Sequence, residues 1–100
     1  MDTENATIHS VFIGLEGHGI PTIMVDLDFD CLRQGFGGYD LRYKDMAAKF
    51  VQGLCRVTEC DDITKMGGRV VRVKRGDGRS ITAIGHPVKN VWFDKSELPQ

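Results

Sequence analysis

Three carboxylates stand at alternate positions in one short stretch, Asp26, Asp28 and Asp30 of Pro21–Asp30 (PTIMVDLDFD). Such spacing admits three kinds of chemistry. A metal loop of the EF-hand kind would start in this way, but it needs glycine at its sixth position, where this chain has Cys31. A catalytic carboxylate pair would stand roughly 7 Å apart on alternate strand positions, yet no nucleophile or basic partner accompanies it. As a binding surface, a row of negative charge suits a basic protein groove. The plainest alternative is a solvated strand face that also protects a sheet edge.

The glycine run at Gly35–Gly38 (GFGG) lacks the Lys and Ser/Thr that nucleotide-hydrolase phosphate loops carry, and Tyr39, Asp40 and Leu41 follow instead. It reads as a turn, or as a pliable loop that holds Phe36 outward as a contact residue. Arg69, Arg72, Lys74, Arg75 and Arg79 form a basic hairpin that could follow phosphates. No aromatic is interleaved for base stacking, so a solvated face is the simpler reading. Cys31, Cys55 and Cys60 include no Cys-x-x-Cys pair, and His9, His18 and His86 are scattered, which disfavours zinc. No enzyme, cofactor, metal or small-molecule substrate is expected. The candidate site is a protein-binding face made of Asp26, Asp28 and Asp30, with Phe36 and Tyr39 as apolar anchors.

These residues need elements to position them. Strict alternation puts Ile23, Val25, Leu27 and Phe29 on one face of a strand and Met24, Asp26, Asp28 and Asp30 on the other. Residues 6–15 form a preceding strand, with Ile8, Ser10, Phe12 and Gly14 on one face, and residues 16–19 form the turn between them. Residues 31–38 are expected as a loop, followed by a short extended piece at 39–42. From about Lys44 the period changes: Ala47, Phe50, Val51, Leu54 and Val57 recur at helical spacing, and a helix is predicted over 44–59. Gly53 in that helix can let a strand approach closely. A polar connection at 61–64 has room for one more helical turn. Strands at 69–75 and 80–85 flank an Asp-Gly turn, and Val88–Asp94 brings Trp92 and Phe93 back onto the core.

The resulting fold class is α+β: an antiparallel sheet of four to five strands with one main helix on one face. Phe12, Ile23, Val25, Leu27, Phe29, Phe50, Leu54, Val71, Val73, Ile81 and Trp92 are the expected core. At 100 residues the chain reads as a single domain over 1–100, with 1–5 and 95–100 loosely ordered. It is 41% hydrophobic and 27% charged, as folded proteins are, and its formal net charge of −1 points globally to neither nucleic acid nor membrane. An odd number of cysteines and an acidic, polar start favour reduced thiols in a cytosol.

Five segments together carry a resemblance. Phe12–Ile20 (FIGLEGHGI), Gln34–Tyr39 (QGFGGY), Val71–Lys74 (VRVK), Ala83–His86 (AIGH) and Lys89–Asp94 (KNVWFD) resemble a family of small phage and prophage proteins, and within it the chain is similar to type I-F anti-CRISPR proteins. The resemblance implies a stoichiometric inhibitor acting in the cytoplasm of the bacterial host. It would bind the crRNA-guided surveillance complex (the Csy, or type I-F Cascade, complex) and occlude target DNA. It brings no residue-level motif, so the site residues above rest on the strand pattern for the carboxylates and on the loop that follows it for Phe36 and Tyr39. Two alternatives from other classes remain: sequestration of a nucleotide second messenger of host defence by the basic hairpin and glycine loop, and a small DNA-binding phage protein.

Overall fold

The computed structural model describes residues 3–29 and 31–99. Six strands form one antiparallel sheet: Thr3–Leu15 (β1), Pro21–Phe29 (β2), Leu32–Tyr39 (β3), Val70–Arg75 (β4), Ile81–Gly85 (β5) and Trp92–Asp94 (β6), in the order β3-β2-β1-β4-β5-β6. One α-helix, Met46–Thr58 (α1), packs on the sheet, so the class is α+β with one or two more strands than the pattern suggested. No described helix is long and apolar enough to cross a membrane.

The extra strand is β3, where the glycine run was expected to loop. It pairs with β2 along its whole length, Thr22 opposite Tyr39 through Phe29 opposite Leu32. Glycines form a strand here because large neighbours fill the space that side chains would take. A Cβ at Gly35 would lie 2.5 Å from the Met24 sulfur, and one at Gly38 would lie 2.8 Å from the Phe50 ring. The sheet curls, so that β3 approaches β5. Gln34 of β3 accepts from Arg75 at 2.6 Å and donates to the Arg79 carbonyl at 3.1 Å.

The core fills the concave side. Ile8, Ile23, Val25, Leu27, Phe36, Phe50, Leu54, Val57, Val71, Val73, Ile84 and Phe93 are buried there. Phe36, Phe50 and Phe93 make a three-ring cluster with centroids 5.3–5.7 Å apart, joining β3, α1 and β6. Gly53 admits that cluster: its missing Cβ would lie 2.5 Å from the Phe93 ring. α1 starts later than the period suggested because Lys44 has φ of 47°, which interrupts a right-handed helix. It ends at Glu59 in the left-handed region, with φ of 54°.

Two expected core residues lie elsewhere, and one irregularity displaces the first. Between Ile8 and Ser10 the β1–β2 register shifts by one residue. Each such bulge turns all later side chains to the other face. Ile8 therefore points into the core while Phe12, four residues on, points outward and is 45% exposed. Trp92 is half-buried on the convex side, where its ring covers Gly85. The expected loose ends are also built in where described. Residues 3–5 belong to β1 and pair with β4. Lys95–Glu97 forms a 3-10 turn with a capping box at Asp94, and Leu98 is buried.

Candidate protein-binding face

The helix covers one side of the sheet only, and the other side carries the residues singled out by alternation. On β2 these are Met24, Asp26 and Asp28, since Ile23, Val25, Leu27 and Phe29 are all buried beneath. The register sets their neighbours in rows. Gly14, Thr22 and Tyr39 form one row. Phe12, Met24 and Gly37 form the next, followed by Ser10, Asp26 and Gly35. Thr7, Asp28 and Arg33 form the last. Asp26 and Asp28 thus share a face, as the pattern predicts. Asp30 lies outside the described residues.

The two described carboxylates differ. Asp28 accepts from Arg33 Nε at 2.8 Å, and His9 Nδ1 lies 3.5 Å away. The Arg33 hydrogen bond is the main reason that its carboxyl is held below the usual carboxylate range. Asp26 has only the Ser10 hydroxyl, 3.5 Å from its Oδ2, and no cationic partner among the described residues. The row is therefore not a uniform strip of negative charge. One carboxylate is matched within the chain and one remains available to a cation from outside.

The apolar anchors divide as well. Tyr39 is 56% exposed at the end of β3. Phe36 is 2% exposed and belongs to the three-ring cluster, so it is not a contact residue. The error follows from reading a strand as a loop: once β3 is paired, Phe36 opposes Val25 and points inward. Phe12 and Met24, side by side on the same face, supply the exposed apolar surface instead. Met24 was legible, since it shares parity with Asp26; Phe12 was hidden by the bulge.

The basic hairpin is mostly engaged in holding the fold. Arg72 donates to the His86 and Lys89 carbonyls at 2.7 and 2.8 Å and lies over the Trp92 ring. Arg75 pairs with Glu4 at 2.8 Å and stacks on Phe29. Arg69 donates to the Thr58 carbonyl at 3.3 Å. Lys74 sits over Trp92, 4.1 Å from the ring centroid. A guanidinium already aimed at carbonyls offers little to a phosphate.

Cys31 is exposed, Cys55 half-buried and Cys60 buried, and all three are free thiols. Burial is the main cause that pushes the Cys55 thiol up. No group of three or more metal-ligating side chains comes together among the described residues. Glu59, His86 and Lys89 do meet, with Glu59 Oε1 2.8 Å from His86 Nε2 and Oε2 2.7 Å from Lys89 Nζ. Their bonds tie the end of α1 to the segment before β6. No protein-family model matches the chain, and neither a curated protein nor a solved structure does.

Proposed function

We propose that this chain is a stoichiometric inhibitor of bacterial immunity. It binds the type I-F crRNA-guided surveillance complex through the helix-free face of its sheet and keeps target DNA out. The observation that carries the reading is Asp26. This half-buried carboxylate lies on an open sheet face beside exposed Phe12 and Met24, without a cationic partner among the described residues. Surfaces that hold DNA are rich in Lys and Arg, and an unmatched acid flanked by apolar groups complements them in charge and shape. The sequence resemblance to small phage proteins supplies the target class, and the host cytoplasm follows from it as the place of action.

The reading is tested by measuring how much target duplex the purified crRNA-loaded complex binds as the inhibitor is titrated in. A sharp end point at a fixed molar ratio supports occlusion. Unchanged DNA binding at saturating inhibitor would remove the proposal. Charge reversal at Lys74 is the matched control, because Arg72 is too embedded in the fold to be one.

A further inference from the structure

β1 is longer than the neighbours on one of its sides. Its pairing with β4 covers Thr3–Thr7, and Ile8 makes the last bonds on that side, donating to the Arg69 carbonyl at 2.8 Å and accepting from Gly68 at 2.7 Å. Beyond that point β1 pairs with β2 alone, to Leu15 opposite Pro21. The hairpin closes with Glu16 donating to the Ile20 carbonyl at 3.0 Å. Counting back from that bonded pair, antiparallel alternation directs the backbone groups of Gly14, Phe12 and Ser10 to β2. The N–H and C=O groups of Val11, Ile13 and Leu15 therefore point away from it, along an open edge.

The bulge at His9 is the one usual safeguard against pairing near that edge, and the residues beyond it add no charge or proline. Between Ile8 and Glu16 there is no Lys, Arg, Asp, Glu or Pro. Val11 packs against the margin of the core, but the apolar side chains beyond it are uncovered, with Ile13 54% and Leu15 66% exposed on the concave side and Phe12 45% exposed on the convex side. The outer strands of the sheet differ: β6 has only three residues and ends in Asp94, and β3 carries Arg33.

We infer that the free edge of β1 pairs antiparallel with the same edge of a second copy, giving a two-fold dimer with one continuous twelve-strand sheet. The segment is complementary to itself. With the axis at Ile13, Ile13 opposes Ile13 of the second copy, and Val11 opposes Leu15, so the bonded positions meet bonded positions. Three such pairs exchange about six hydrogen bonds. Phe12 then opposes Gly14, the residue that its ring already covers within its own chain, 3.0 Å from where a Cβ would stand. A contact of five residues is about 17 Å long and 10 Å deep, which places it below about 1,200 Å² in total, among the weak and transient interfaces. An extended segment of another protein would use the same donors, but only a second copy matches the uncharged edge residue for residue. The inference is independent of the function proposed above.

Sedimentation velocity of the full chain across a wide concentration range, with amide hydrogen exchange at both ends of the range, tests it. The expected result is a reversible monomer–dimer equilibrium in which the Val11, Ile13 and Leu15 amides become protected only as dimer forms. Ile13→Pro removes an N–H that has no backbone partner among the described residues and should leave a folded monomer. Ile13→Lys, which keeps the backbone intact, should also abolish the dimer should the proline variant fail to fold. A monomer at every concentration with those three amides unprotected overturns the inference. So does a dimer that survives Ile13→Lys, or a monomer that pairs through this edge only with an added peptide.

Discussion

Gly53→Ala separates packing from helix propensity by the sign of its effect. On an exposed helical surface, the change stabilises by about 1 kcal/mol. At Gly53 the new methyl would stand 2.5–2.6 Å from three atoms of the Phe93 ring. That ring has little room to retreat, being wedged against Phe36 and Phe50 with centroids 5.6 and 5.3 Å away. Overpacking of this kind costs about 1–3 kcal/mol, and a contact with a locked ring belongs at the upper end. After the propensity gain, the net loss is about 2 kcal/mol. For a domain of this size that lowers Tm by roughly 8–16 °C. Thermal and urea melts followed by circular dichroism measure it. Phe93→Leu in the same chain should recover part of the loss, giving a coupling of about 1 kcal/mol. A Gly53→Ala protein with a raised Tm would refute the claim that β6 packs directly against this point of the helix.

Three further outcomes follow from the geometry. Phe36→Ala should cost about 3–5 kcal/mol in denaturant unfolding, whereas Tyr39→Ala, at an exposed site, should stay within about 0.5 kcal/mol. Glu59 is held below its ordinary value of 4.5, first by the Lys89 hydrogen bond and then by His86. A carboxyl depressed on folding contributes stability above its unfolded value and loses it as pH falls through the folded one. The stability difference between wild type and Glu59→Gln should therefore shrink below about pH 4.5, as read by urea unfolding at stepped pH. In the native protein a thiol reagent should modify Cys31 fast, Cys55 slowly and Cys60 only on unfolding, with the order read by mass spectrometry.

Much of this architecture could be read from residue pattern, and the failures have physical causes. The β2 alternation, the helical period of α1 and the Asp-Gly turn are local signals, so they survive without tertiary knowledge. β3 was missed because glycine signals a turn locally, while here each glycine is explained by a partner far away: Met24 at Gly35 and Gly37, Phe50 at Gly38. Phe12 was misplaced because a bulge at His9 leaves no mark in the alternation around it. The candidate site inherits both errors. Asp26, Asp28, Met24 and Tyr39 can be read from the pattern, whereas Phe36 belongs to the core once β3 is paired and Phe12 is hidden by the bulge. That Arg33 neutralises Asp28 depends on the β2–β3 register and could not be seen before it.

The central claim is that Asp26 on the helix-free face meets a basic surface of the surveillance complex. Association and dissociation rates of the wild-type chain and Asp26→Lys on the purified complex, at low and high salt, test it most directly. The account predicts that the reversal slows association by at least about tenfold at low salt and flattens its salt dependence, while Lys74→Glu changes little. Equal rates for wild type and Asp26→Lys, with binding lost in Lys74→Glu, would contradict it.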